Sequence, residues 1–537
     1  MPGTQPPPLH PRSPRWQRLL VLAVLTSGGA FVLTVLLGLL LAGLFQNPWF
    51  QEWAFTNVFS RSWAGADKPP APPRVPYTPS APEPDARLAS QPADIFIPTQ
   101  VWSTHLRFTE AEWTAIQPQR IPRSRGWLRR DGAPMLSNTN APRPGLAGVF
   151  GIAQPWSTAH VDFGSVQFSN VAVRFKGNGT FLFAEGPYSR PYKLDLSKKH
   201  PGRNLAGLEE INLHNLSADR SCLSDTLGYE FFRDAGVPAP RTTFTRLLLS
   251  IDGRWERSVI GLYLVVEDPS ESWLARFLGA PGGSLFKPVT LELFQDLGTD
   301  WSAYPPVYNP KSDIPDTHRQ RLVDLARLVS HADDAEFERR IFDLVDLGHF
   351  TRFLACETLL SNYDGIFANG QNFLLWIDPR NDRFGLSPWD LDHSWGGFHL
   401  IGTHEQRVRA DVFHPWVGEH RFFERLYALP AFQERYRAEL TRLLDTVFVP
   451  ERLHQRIDEL AAVIRPVVQG HRDPRPDQFE RAIAASSTPA ASQPHGERGG
   501  PVHALKPFIT RRAAEVRAQL AGTSQGLRVS RQAERQR

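Results

Sequence analysis

The sequence predicts an α+β body behind an N-terminal membrane anchor. Three observations lead there. Strand-like alternation and glycine turns crowd residues 165–267, helical spacing of apolar residues dominates from about 318 onward, and residues 19–45 form an uncharged apolar run. No internal repeat is visible.

The elements follow in chain order. Residues 1–18 are a short basic arm with Arg12, Arg15 and Arg18 and no acid. The run "LLVLAVLTSGGAFVLTVLLGLLLAGLF", 19–45, exceeds the length needed to cross roughly 30 Å of hydrocarbon, so it reads as a retained signal-anchor. The preceding arginines place the N-terminus in the cytoplasm and the main body outside it, a single-pass topology. Residues 46–94 form a juxtamembrane segment that ends in a Pro-rich spacer. Its part "KPPAPPRVPYTPSAPEPDARLASQPAD", 68–94, is expected to form neither helix nor central strand.

Order is expected from Ile95, and the body is assigned to 95–481. "SVQFSNVAVRFKGNGT" alternates and ends in a glycine turn, and "RPYKLDL" is a second short strand. "SCLSDTLGYEFFRDAG" has helical spacing and stops at Gly236 before Pro238. "TTFTRLLLSIDGRWERSVIGLYLVVED" is a hairpin turning at Asp252-Gly253. Helices then read through "HRQRLVDLARLVSHA", "DAEFERRIFDLV" and about Leu347–Leu360, the last capped by Asp346. The pattern stays helical beyond 400. A low-complexity loop at 482–501 separates a final helix and basic tail, 502–537.

Composition excludes several classes. Forty-one per cent apolar residues, with 15 Trp and 34 Phe, suffice for a large core. Cys222 and Cys356, the only cysteines, make neither a disulfide framework nor a zinc site, and both fall in apolar segments read as helical. The net charge of +4 is terminal in origin: residues 19–496 carry 48 basic and 53 acidic residues. A nucleic-acid-binding core is therefore not indicated. There is no G-x-S-x-G elbow and no H-E-x-x-H helix. His393, His399, His404, His414 and His420 match no metal spacing and read as scattered imidazoles.

The chemistry-bearing stretch is "NYDGIFANGQNFLLWIDPRNDRFGLSPWDLD", 362–392. Asn372–Ile377 and Arg383–Pro388 read as two strands of a hairpin. Pairing 377 with 384 sets 372 opposite 389 and brings Asn372 beside Asp390, with Asp364 in the loop before the first strand. Such oxygen-rich sites suit Mg²⁺ or Mn²⁺ together with substrate phosphates. The order also repeats the protein-kinase layout of a base, a metal-binding Asn, a hairpin and a metal-binding Asp. Asp364 is then the catalytic base, Asn372 and Asp390 hold metal, and Asp392 supports the second site or is structural. Taken singly, each Asp is more often a turn cap or the partner of an arginine.

A nucleotide cradle is read upstream. "VRFKGNGT" turns through Gly177 and Gly179, whose N–H groups are available to phosphate. Lys193 lies on the next strand, where a kinase places its phosphate lysine, and Glu230 lies on the following helix, where the orienting partner would be. Glu267 and Lys287 either face the nucleotide or pair on the surface.

These residues resemble the CotH-type (spore coat protein H-like) atypical kinases. The matching blocks are "VAVRFKGNGT", "PYKLDL", "LHNLSADRSCLSDTLGYEFFRDAGVPAPRTTF", "IGLYLVVE", "GSLFKP", "NYDG…QNFLLW" and "PWDLDHSWG", in that order. The resemblance implies a divergent kinase fold using ATP and a divalent metal to phosphorylate Ser/Thr on an unidentified protein substrate. It implies Asp364 as catalytic Asp, Asp390 as metal Asp and Lys193 as nucleotide Lys. The chain departs in its turn: "KGNGT" keeps a basic residue, Lys176, where the family has Arg-Gly-Asn-Ser-Ser-like residues, and loses a Ser. Two other readings stay open: a catalytically silent envelope or coat scaffold, and phosphotransfer to a non-protein substrate.

Overall fold

The computed structural model describes residues 84–121, 151–182, 184, 186, 188–469, 476–486 and 502–531. The expected anchor at 19–45 lies outside them. Among the described residues no helix is long and apolar enough to cross a membrane.

The strand-rich part is a closed barrel. Its strands are β1 (Val101–Phe108), β2 (Ser157–Phe163), β3 (Val166–Phe175), β4 (Tyr192–Asp195), β5 (Glu210–His214), β6 (Thr242–Ile251) and β7 (Trp255–Glu267). They lie in the order β1-β2-β3-β4-β5-β7-β6, and the parallel pairing of β1 with β6 closes the ring. The Thr104 and Thr245 hydroxyls meet at 2.8 Å across that seam. Closure removes the unpaired edges that a seven-stranded open sheet would expose. The β6–β7 hairpin turns at Asp252-Gly253 as read, with Gly253 at φ 72°.

The Pro-rich spacer departs from expectation at its end. Ala86–Leu88 form a 3₁₀ turn and Pro92–Ile95 one helical turn. Asp85 accepts from the Arg87 amide, and Pro92 stands at the helix start, where its missing N–H costs nothing. Cys222 also departs: it lies just before the helix rather than in it, and both cysteines are free and buried.

Helix α1 (Ser224–Asp234) leaves the barrel, and α2 (Glu271–Leu278) follows β7. A three-stranded antiparallel sheet comes next, with β8 (Ser284–Phe286) beside the hairpin β9 (Phe373–Asp378) and β10 (Arg383–Pro388). The helical part comprises α3 (Asp316–His331), α4 (Asp334–Leu344), α5 (Leu347–Leu360), α6 (Arg421–Ala428), α7 (Pro430–Thr446), α8 (Pro450–Val468) and α9 (Leu505–Leu520). Asp346 caps α5 as expected, accepting from the His349 amide at 2.7 Å. Helix α5 is the centre of the core: Phe350, Phe353, Leu354, Leu359 and Leu360 are buried on it. From α9, the buried Arg512 guanidinium donates to the carbonyls of Thr358, Val408 and Ala410, tying α5 and the 408–410 segment to one cation. After α9, Leu527 and Arg531 bridge to Ala410 and Ile401.

Candidate functional site

The hairpin has the expected register. Ile377 pairs with Phe384, Phe373 with Pro388, and the Trp389 amide donates to the Asn372 carbonyl at 3.1 Å. Asn372 and Asp390 then take left-handed backbone, φ 58° and 55°, which Asn and Asp tolerate better than most residues. That ends the ladder and turns the chain onto α1. Two consecutive amides are pinned to this helix: Asp390 N–H donates to the Tyr229 hydroxyl at 2.8 Å, and Leu391 N–H to Asp225 Oδ1 at 2.6 Å. Gly228 permits the approach, since a Cβ there would lie 2.6 Å from Leu391 Cδ1. Beyond the site, the buried Arg407 donates to the carbonyls of Gly396, Ile401 and Gly402 and fixes the outgoing chain.

Asp364 lies in the loop after α5. Its Oδ1 accepts from Asn369 Nδ2 at 2.7 Å and Gln371 Nε2 at 3.1 Å, and its Oδ2 from Asn372 Nδ2 at 3.1 Å. One ligand atom each from Asp364, Asp392 and His393 lie within 4.8 Å of one another. Burial, with the charge of Asp390 adding to it, raises the Asp364 carboxyl above its ordinary value. Asp392 is pushed well above it by burial and by the charges of Asp390, Asp225, Asp364 and Asp219. Carboxylates crowded in this way repel one another, and a hard divalent cation is the partner that reverses the repulsion. The donor set therefore fits Mg²⁺ or Mn²⁺.

Facing these acids is a cationic wall. The ammonium groups of Lys176 and Lys287 lie 5.2 and 4.9 Å from the Trp389 ring centroid. Burial lowers Lys176 to about 8 and Lys287 to about 7, with Asp390 opposing the fall in each. Lys176 Nζ donates to His214 Nε2 at 2.6 Å, which leaves the imidazole proton on Nδ1, 3.5 Å from Asp225 Oδ2. One ligand atom each from His214, Asp225 and Asp390 also lie within 4.8 Å of one another. With its proton on Nδ1, His214 is a donor to Asp225 rather than a metal ligand. The result is an acidic shelf and a basic shelf meeting at Trp389–Asp390, an arrangement that can hold a metal-bound polyphosphate.

Residues 173–514, more than half of the chain, match the CotH kinase protein family. The chain belongs to this family. It is similar to inner spore coat protein H of Bacillus subtilis (strain 168), 25% identical over 269 residues that span 50% of this chain and 70% of that one.

Within this CotH-family chain the expected site residues separate into two sets. Asp364, Asn372, Asp390, Asp392, Lys176 and Lys287 converge. Asn372 does so differently from expectation, with its amide nitrogen on the Asp364 carboxylate. Lys193 lies on β4, one strand over from β3, and is held by Glu210 at 2.8 Å and Asp268 at 3.1 Å. Burial opposes its charge, but these two acids raise it above the ordinary lysine value. Glu230 is not its partner: the Glu230 carboxylate is taken by Arg456 at 2.7 and 2.9 Å. Glu267 is buried rather than on the surface. Arg241 and Arg276 take it at 2.6 and 2.7 Å. Successive residues of an extended chain point to opposite sides, which makes Asp268, not Glu267, the acid beside Lys193. Gly177 has φ 76°, and a Cβ there would lie 2.8 Å from Thr180 Oγ1, whereas Gly179 has open space around it and begins a helical turn.

Five residues of the site were not singled out in the sequence: His214, Asp225, Tyr229, Trp389 and His393. The first three lie in the "LHNLSADRSCLSDTLGYE" block, where polar residues interrupt an apolar pattern. His393 fits no metal spacing with the other imidazoles, yet it follows Asp392 directly and joins the Asp364–Asp392 cluster.

Proposed function

We propose that this protein is a metal-dependent kinase that transfers the γ-phosphoryl group of ATP to Ser/Thr hydroxyls of an envelope or surface protein. The observation that carries the reading is Asp364, buried and oriented by three side-chain amides, on the same acidic shelf as Asp392 and His393. Three donors fix the carboxylate's direction, and burial makes it a better proton acceptor than an exposed aspartate. Asp364 takes the proton of the attacking hydroxyl. Lys176 and Lys287, crowded and partly discharged by burial, regain full charge against phosphate oxygens and hold them. Asp390 and Asp392 would hold Mg²⁺ or Mn²⁺, which when bound neutralises and orients the phosphates. The 19–45 run would tether this body outside the cytoplasm, within reach of envelope proteins.

A scaffold without catalysis is favoured by one feature, the saturation of Lys193 by two carboxylates. Incubating the full chain with labelled ATP and Mg²⁺ or Mn²⁺ separates the two. Autophosphorylation lost in Asp364→Ala and Asp390→Ala is the expected result. No nucleotide binding under either metal would refute the kinase, and activity surviving both substitutions would refute the site.

A further inference from the structure

A second charged cavity lies at the far end of the β9–β10 hairpin. Strand β9 runs from Phe373, beside the site, to Asp378, roughly 17 Å away at ~3.3 Å per residue. Around the Asp378–Arg383 turn opens a cavity of about 380 Å³ lined by Arg352, Arg380, Arg383 and Arg435. Four guanidiniums thus converge in a body that is acidic overall.

Their charges are unequally matched. Asp378 takes Arg380 at 2.6 Å. Glu439 serves both Arg352 and Arg442, one carboxylate between two guanidiniums. Arg383 and Arg435 have no side-chain hydrogen bond or ion pair among the described residues. The start of α5 adds to the excess. Gly348 lines the cavity, and the amides of Leu347 and Gly348 have no hydrogen-bond acceptor among the described residues. Two other lining groups do not cancel it. The Asp346 carboxylate, which accepts the His349 amide, and Asp378 offset only two of the four guanidiniums, and the His349 ring, kept neutral by burial at about 4, donates to the Leu386 carbonyl at 2.6 Å.

We propose that this cavity binds a phosphate monoester dianion, the chemistry of a phosphorylated serine or threonine side chain or of free phosphate. Positive groups approach from three directions: the hairpin turn, α7 and the start of α5. A tetrahedral dianion with three acceptor oxygens answers all three, whereas a planar carboxylate is satisfied by one guanidinium fork. Phe277, 46% exposed at the rim, offers apolar surface to residues flanking a phosphorylated side chain. The site involves neither Asp364 nor Asp390 and stands whether or not the chain transfers phosphate.

The test uses the full chain in detergent and a labelled Ser/Gly peptide carrying one phosphoserine, followed by fluorescence anisotropy at low salt. The phosphopeptide should bind, and the same peptide with Ser or Glu should bind at least about tenfold more weakly. Arg383→Gln and Arg435→Gln should each weaken it about tenfold, with an unchanged unfolding midpoint because neither side chain has a partner. Lys287→Gln, which removes a cation of the catalytic centre, should leave binding intact. Competition by inorganic phosphate at equal concentration would assign free phosphate as the ligand, and competition only at large excess would assign the phosphorylated side chain. The proposal is overturned by absent binding, by equal binding of the Glu peptide, or by undiminished binding to both arginine variants. Loss of binding in Lys287→Gln alone would place the anion in the catalytic centre and overturn it equally.

Discussion

Tyr229→Phe removes one oxygen, and the structure sets what should follow. That hydroxyl accepts the Asp390 amide at 2.8 Å in a fully buried position, and the ring itself can stay in place. A buried donor left without an acceptor costs about 1–3 kcal/mol. Asp390 also holds a left-handed conformation at φ 55°, itself unfavourable by up to ~1–2 kcal/mol. Without the hydroxyl the residue has a reason to relax toward ordinary backbone. We expect a stability loss of about 1–2 kcal/mol, read from urea unfolding followed by tryptophan fluorescence. The effect on phosphoryl transfer should be larger, because a carboxylate displaced by ~1 Å costs on the order of 10²-fold in rate. Labelled ATP transfer by the same preparation reads that loss. Unchanged stability and rate would show that Asp390 is held without the Tyr229 hydroxyl. A stability loss with full transfer would show that the pin does not position the carboxylate.

Three further outcomes follow from named contacts. Glu357 is buried beside Asn362, and burial raises it to about 8 from 4.5, with Asn362 opposing the rise. The folded state therefore keeps a proton that the unfolded state releases, so stability falls as pH rises from 4.5 to about 8. Glu357→Gln should flatten that fall and be more stable by on the order of a few kcal/mol above about pH 8, and urea midpoints that keep the wild-type pH dependence would refute it. Glu230→Gln breaks the partly buried pair with Arg456 and should cost about 1 kcal/mol while leaving ATP affinity unchanged; weakened ATP binding would restore Glu230 to the nucleotide site. Gly370→Ala places a Cβ 1.7 Å from the Thr290 carbonyl oxygen at φ 57° and should cost at least ~3 kcal/mol in thermal or urea unfolding; a wild-type midpoint would contradict it.

What could be read in the sequence was local. The turn at Asp378–Asp382 between two short strand segments gave the β9–β10 register, and with it the meeting of Asn372 and Trp389. The Asp346 cap and the α5 boundaries follow equally from short-range rules. Sequence spacing does not encode which distant segment packs where. Tyr229 and Asp225 reach Asp390 and Leu391 across more than 160 positions, and nothing in either segment names the other. Lys193 shows the limit more finely: its acids are Glu210 and Asp268, one on the adjacent strand and one a single residue past the glutamate chosen from the sequence. Position along a strand was legible, but the direction of the last side chain was not.

The parallel seam between β1 and β6 has a consequence in time. Thr104 and Thr245 are 141 positions apart, so the strand that closes the ring emerges long after the strand it must meet. At ~5–20 residues per second of synthesis, β1 waits about 7–30 s for its partner. Through that interval Trp102, Leu106 and Phe108, buried in the finished barrel, lie on a strand with one edge unpaired. Yield of this protein should be governed by how well that waiting strand is shielded from other copies of itself, more than by the final strength of the barrel.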